Sequence, residues 1–291
     1  MDFPVQLFAD ALVSGTLLGI FYAALAIGIS ISFGMLDVVN IAHPACIVLG
    51  SFLTFKAHQL FGLDPLLAGL AIAPFFFVAG GLIYRVYHVS FETRGQDSLR
   101  GLTFFFGLMF IAEISLALIF GVDLRSVQPS YASGILIMGD TIVAYRLLVP
   151  ALVSLVMFGA IYLGLHHTFF GRAVLAGSQD QLALRLMGVN PVRMRQFAFG
   201  LSLATAAIAG SLLVMLQPVA PLTGQEFIGR VFAICVLGGL GSVMGTLLAA
   251  VLLGIAESMM GTFFGPSWAP AVSFGILLTA LAVRPAGLLG R

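Results

Sequence analysis

Gly171-Arg-Ala-Val-Leu-Ala-Gly-Ser-Gln-Asp-Gln-Leu-Ala-Leu-Arg-Leu-Met-Gly-Val-Asn-Pro-Val192 is a polar island between long apolar runs, and it holds a large share of the chain's few charges. Ser178 followed by Gln181 has the spacing of a capping box, in which two side chains satisfy the free amides at a helix start. Gly188 is a stop, because glycine enters the left-handed conformation without steric cost. The interval predicts a helix of about nine residues, ~13 Å long. Leu182 and Leu186 share one face of it, Ala183 and Met187 another, and Gln181 and Arg185 a more polar side. Asn190-Pro191 caps and opens the helix that follows. A helix this short does not stand alone. Set in water between two membrane helices, it offers apolar side chains to a soluble partner, and the rest of the chain is the membrane part that it drives.

Composition supports that division. Of 291 residues, 60% are hydrophobic and 9% charged, against about a quarter charged in ordinary soluble domains. The apolar residues come in runs of about 20 or more, the length that crosses a bilayer. Thirty-four glycines suit a bundle in which small residues let helices approach closely. The net charge of +1 gives no sign of nucleic-acid binding. Cys46 and Cys235 both lie in apolar segments and read as packing residues, not as a disulfide or metal pair. Met1-Asp2-Phe3-Pro4 lacks the positive start of a cleaved signal peptide, so the first apolar helix is expected to stay in the mature protein.

The expected architecture is all-α: a polytopic transmembrane helical bundle of about eight membrane segments, forming one transmembrane domain over residues 1–291. The segments run over 7–34, 45–61, 65–85, 101–120, 146–166, 197–216, 228–260 and 268–283. Gly15 and Gly19 in the first have the spacing of a helix-packing motif. As one straight helix, 228–260 would be ~50 Å long, well beyond the ~30 Å hydrocarbon core. Gly238, Gly239, Gly241 and Gly245 fall in its middle, so a broken or re-entrant segment is expected there. Arginine placement sets the orientation. The stretches 85–100 and 172–195 and the tail from Arg284 hold most of the arginines and are expected in the cytoplasm.

No nucleotide loop, H-E-x-x-H, C-x-x-C or G-x-S-x-G motif is present, which argues against an enzyme. His166 and His167 are adjacent, hence about 100° apart on a helix, and read as an interface pair; no metal site is expected. Polar residues inside membrane segments tell more, since they are costly in lipid and tend to face a pathway. Asp37, Asn40, His43, Glu113, Gln217, Glu226, Arg230 and Glu257 are the candidates. Asp37, Glu226 and Glu257 also fit helix ends in the headgroup layer. Glu113 also fits a structural partner, within the chain or across a subunit boundary. Asn40 to Pro44 either simply caps the second helix or turns that helix's positive end toward a substrate carboxylate. From the residues alone, an ATP-driven permease, an ion-driven transporter and a non-transporting membrane subunit all stay open.

Four stretches resemble one family, the LivH-type permease subunits of bacterial ABC importers for branched-chain amino acids. They are Phe33-Gly-x-Leu-Asp-Val-Val-Asn-Ile-Ala-His43; Gly171-Arg-Ala173 with Ala176, Asp180, Ala183, Gly188-Val-Asn190, Arg193 and Phe197; Val236-Leu-Gly-Gly-Leu-Gly-Ser242 with Gly245; and Arg284-Pro-Ala-Gly-Leu-Leu-Gly290. They run in order from the first helix to the last residues. The family's usual His-Gly-Glu is replaced here by His43-Pro44-Ala45. The resemblance implies a multi-pass subunit of the bacterial inner membrane, paired with a longer LivM-type permease. Two cytoplasmic ATPases and a periplasmic solute-binding protein complete the system. This chain would bind no cofactor; ATP and Mg would be used by the partners. Gly171, Arg172, Ala173, Asp180, Ala183, Arg185, Met187 and Gly188 would shape the ATPase-coupling element, within about 171–192. Asn40, His43, Glu113, Glu226 and Arg230 would be pathway candidates. Related systems carry branched-chain or other amino acids, urea or short amides, and aromatic acids, and the permease sequence does not choose among them.

Overall fold

The structure is a computed structural model that describes residues 3–92, 98–138, 141–283 and 287–290. It is a helical bundle. In chain order the helices are α1 (Phe3–Gly34), α2 (His43–Phe61), α3 (Pro65–Ser90), α4 (Ser98–Phe120), α5 (Tyr145–His167), α6 (Phe169–Gln179), α7 (Gln181–Leu186), α8 (Pro191–Leu216), α9 (Thr223–Gly238), α10 (Val243–Phe263) and α11 (Ala269–Val283). Among the described residues seven segments are long and apolar enough to cross a membrane: α1, α3, α4 from Arg100, α5, α8, α10, and Pro266–Val283, which ends in α11. The expected count of about eight is therefore not reproduced. α2 and α9, of 19 and 16 residues, fall outside that set.

Local chemistry sets the helix ends. Gly62 takes φ +63° and closes α2. Asp64 accepts from the Leu66 amide at 2.9 Å and opens α3, with Pro65 in the first turn, where no amide hydrogen is needed. The connection 121–144 holds an antiparallel hairpin, β1 (Ile135–Met138) and β2 (Thr141–Ala144), which periodicity did not reveal. Arg125 and Val219 exchange backbone hydrogen bonds of 2.9 and 2.8 Å, tying this connection to the loop after α8 at one end of the bundle.

α8 is the most enclosed of the seven spans and packs on α3, α2 and α1. α1 lies along α10, where Gly15 and Gly19 allow contact between backbones. A Cβ on Gly15 would stand 2.7 Å from the Ile255 Cα, and one on Gly19 2.5 Å from the Val251 Cα. The stretch 228–260 is broken where expected: α9 ends at Gly238, and Ser242 caps α10 by accepting from the Gly245 amide at 3.1 Å. Gly239 and Gly241 have φ of +93° and +81°, conformations that side chains other than glycine rarely adopt.

Candidate functional site

The polar island folds as a helical elbow. Thr168 accepts from the Gly171 amide at 3.1 Å and opens α6. Gly171 lies on Gly164 and Leu165, and a Cβ there would run into their backbone. Ala173 and Val174 are buried, while Arg172 is exposed. α6 continues to Gln179, so the expected capping box at Ser178 and Gln181 does not form. The Ser178 hydroxyl instead donates to the Leu175 carbonyl at 2.8 Å. The cap is Asp180, whose Oδ1 accepts from Leu182 and Ala183 amides at 2.8 and 3.0 Å. A carboxylate that can take two amides at the elbow leaves Ser178 free to finish the preceding turn. α7 is accordingly six residues long, shorter than the predicted nine. Gly188, at φ +78°, ends the turn, and Asn190 caps α8 by accepting from Val192 at 3.0 Å.

Leu184 points inward and is 2% exposed. With Ala173, Val174, Pro191 and Met194 it adjoins Met35 and Leu36, just past the end of α1. The opposite side is bare: Leu182, Leu186 and Met187 are 67, 82 and 68% exposed, with Arg185 and Gly188 open beside them and Ala183 half-buried. Arg195, one turn into α8, pairs with Glu92, which also meets His88 Nδ1 at 2.7 Å and the Tyr84 hydroxyl at 2.9 Å. Burial opposes the charge on Glu92. The hydrogen bond from His88, the Arg195 charge and the Tyr84 hydroxyl prevail, and its carboxyl lies below the ordinary range. This anchor was not singled out in the sequence, although the i, i+4 spacing of His88 and Glu92 signalled half of it.

Three glycine-bearing stretches meet beside this elbow. Gly34 abuts Gly241, and Gly239 abuts Gly287 and Gly290. Gly238 and Gly245 face each other across the break. The Leu288 and Leu289 amides donate to the Leu237 and Gly238 carbonyls at 2.7 and 3.2 Å, satisfying the open end of α9. Arg284, Pro285 and Ala286, which begin the last of the four quoted stretches, lie outside the described residues, as does Arg94 of the arginine-bearing stretch 85–100.

The intramembrane candidates do not form one cluster. Asn40 and His43 are 1 and 0% exposed. The His43 ring lies against Gly28 and near the Leu25 backbone, and among the described residues neither ring nitrogen, nor Asn40 Oδ1, has a well-formed hydrogen bond. Pro44 stands in the first turn of α2 and helps to open it, while among the described residues no side chain caps that helix. Gly224, at the start of α9, packs on Pro44 and Ala45. Glu113 is 1% exposed and accepts from Gln225 Nε2 at 2.8 Å. Asp37 is exposed, at φ +56°, and Glu226 is exposed on the first turn of α9. Gln217 ends α8. Arg230 Nε donates to Glu257 at 3.0 Å. Glu257 also accepts from the Tyr22 hydroxyl at 2.7 Å and from Ser273. At 3% exposure Glu257 is enclosed by protein, where it joins α1, α9, α10 and α11.

Residues 11–281 match the family model described as branched-chain amino acid transport system, permease component. The chain belongs to this family. The permease is 30% identical over 98% of its length to the high-affinity branched-chain amino acid transport system permease protein BraD of Pseudomonas aeruginosa, covering 96% of that protein. It is 28% identical to LivH of Escherichia coli over the same shares. It also resembles LivM of Salmonella typhimurium, 36% identical over 41% of the permease and 28% of LivM. Among solved structures, PsaBC from Streptococcus pneumoniae in complex with Fab shares the fold, with a TM-score of 0.50, 13% identity and coverage of 96 and 92% of the two chains. The relatives are transport components, not enzymes, and with its seven apolar spans the permease is a multi-pass membrane protein.

Proposed function

We propose that this permease is one of two homologous subunits forming the pathway of an ATP-driven importer in a bacterial inner membrane. The observation that carries the proposal is α7: a capped helix, fixed from beneath by Leu184, with Leu182, Leu186 and Met187 bare on its outer side. Exposed apolar side chains on a rigid, water-accessible helix suit a cleft on a soluble partner. In this reading two cytoplasmic ATPases hold ATP and Mg and grip the element from Gly171 to Gly188, where Gly171 and Ala173 seat α6 and Asp180, Ala183, Arg185 and Met187 present α7. Displacement of α7 passes through Leu184 to Met35 and Leu36 and so to α1, while the Glu92–Arg195 pair holds the base of α8. A periplasmic binding protein supplies the solute, a branched-chain amino acid or related small organic molecule. Asn40, His43, Glu113, Glu226 and Arg230 are the pathway candidates, with Arg230 held by Glu257.

Co-purification with the products of neighbouring genes in mild detergent tests the reading. Two ATPase polypeptides and a longer permease are expected. A chain that comes out alone and still moves solute down an ion gradient in vesicles would replace it with a secondary transporter.

A further inference from the structure

The connection from α4 to α5 carries a second bare apolar face, at the far end of the bundle from the elbow. β1 and β2 pair Ile137 with Ile142 and Ile135 with Ala144, so these four side chains share one side of the hairpin. On that side Ile135, Ile137 and Ile142 are 56, 65 and 60% exposed. On the other side Val143 is buried and Leu136 half-buried, and β2 packs on α1. The Tyr145 amide closes the base by donating to the Gly134 carbonyl at 2.9 Å. The hairpin is therefore a seated platform. α5 starts where β2 ends, and its 23 residues run to the elbow, a length of ~35 Å. The platform thus stands about one bilayer thickness from α7. With the elbow in the cytoplasm, the platform faces outside.

Beside it, between the helical turn Ser130–Ser133 and the first turn of α5, lies a recess of about 360 Å³. Ile135 and Ala144 belong to both recess and platform. The wall also carries four hydrogen-bonding side chains, those of Gln128, Ser130, Ser133 and Arg146. Arg146 is exposed and has no ion pair among the described residues, whereas Arg125, nearby in the chain, pairs with Asp123 at 3.2 Å. A lipid chain in the recess would press hydrocarbon against these polar groups. A carboxylate would meet a guanidinium able to hold it with two hydrogen bonds, with Gln128 and Ser130 alongside. Bare aliphatic side chains with an unpaired charge at their edge have the make-up of a protein interface, an apolar centre within a polar rim. We propose that the hairpin face and the Arg146 recess are the docking surface for the solute-binding protein. That partner sets aliphatic side chains on Ile137 and Ile142 and an acidic side chain in the recess. The proposal rests on the permease reading and adds to it the place where the partner lands.

The test uses the whole complex in lipid nanodiscs. The probe is the solute-binding protein encoded beside this chain, added from solution and followed by biolayer interferometry. Wild type is expected to bind it. Ile137→Asp and Arg146→Glu should each weaken binding about tenfold or more. Arg146→Gln should slow association and make it less sensitive to salt. Both positions are exposed, so the variants should reach the membrane at wild-type level, hold the second permease subunit and capture the ATPases. Wild-type affinity in both Ile137→Asp and Arg146→Glu overturns the proposal. Loss of the second subunit, or of protein from the membrane, in Ile137→Asp does so too, by giving the face to a subunit contact or to lipid. So does a wild-type complex that captures its ATPases yet binds no solute-binding protein. A wild-type chain that captures no ATPases would instead remove the permease reading, and this proposal with it.

Discussion

Gly34, the last residue of α1, and Gly241, in the turn between α9 and α10, meet backbone to backbone: a Cβ on Gly241 would stand 2.7 Å from the Gly34 carbonyl oxygen. Gly241 is also at φ +81°. The contact joins the end of α1, which reaches the elbow through Met35 and Leu36, to the turn bonded to the C-terminal tail.

Gly241→Ala should therefore destabilise the permease twice over, by about 1–2 kcal/mol from the left-handed backbone and about 1–3 kcal/mol from overpacking. Gly241→Leu should cost more and reduce the yield of assembled complex. Gly261→Ala, in α10 with open space around it, serves as the control and should be neutral or slightly stabilising. Thermal unfolding and size-exclusion profiles in detergent decide; a Gly241→Leu complex of wild-type yield and melting temperature would refute the packing argument.

The elbow predicts a split between stability and coupling. Leu186→Asp changes an exposed side chain, so the fold should shift by no more than about 0.5 kcal/mol, while ATPase capture and uptake fall sharply. Leu184→Asp buries a charge beneath α7 and should lower the level of protein in the membrane. Gly188→Pro should abolish uptake while the subunit still reaches the membrane, because proline cannot adopt the φ of +78° that ends the turn. Wild-type uptake in both Leu186→Asp and Gly188→Pro would remove α7 from the coupling path.

The Glu92–Arg195 anchor should be sensitive to acid. The folded-state carboxyl of Glu92 is held below its ordinary range, so its stabilising contribution is full above the ordinary glutamate value of about 4.3. It is lost as pH falls through the lower folded value. The melting-temperature advantage of wild type over Glu92→Gln should shrink as pH falls below about 4. An advantage that kept its size down to the strongly acid end would contradict the assignment.

The Glu257 network should behave as a closed unit. Glu257→Ala removes the carboxylate shared by Tyr22, Arg230 and Ser273 and is expected to cost about 3–5 kcal/mol. Replacing both partners, Glu257→Met with Arg230→Met, should recover much of that loss, since matched apolar side chains can replace a buried pair. Unfolding measurements on the two single variants and the double variant give the coupling energy directly. Additive effects would show that the pair does not act as one.

The long apolar helices, the break at Gly238 to Gly241, the Asn190 cap and the polar island were legible in the sequence, though α6 was not, because each follows from local rules: length against bilayer thickness, glycine conformations, and a side chain reaching an amide two or three residues on. Those rules placed the helix start in the island at Ser178, whereas Asp180 won the competition for the free amides. They left Glu257 open between a pathway residue and a helix-end residue, since nothing nearby in the chain announced Tyr22, Arg230 and Ser273 as its partners.

Residue order alone was enough to read a multi-helix membrane chain and where its segments lie, because composition and periodicity act within a turn or two of any residue; the family resemblance rested instead on the four quoted stretches. The three-dimensional packing is what brings Gly34 to Gly241, Arg195 to Glu92 across 103 residues, and Glu113 to Gln225. Each of these depends on which helix faces share a seam. Packing in three dimensions chooses that seam among many apolar faces that look alike along the chain.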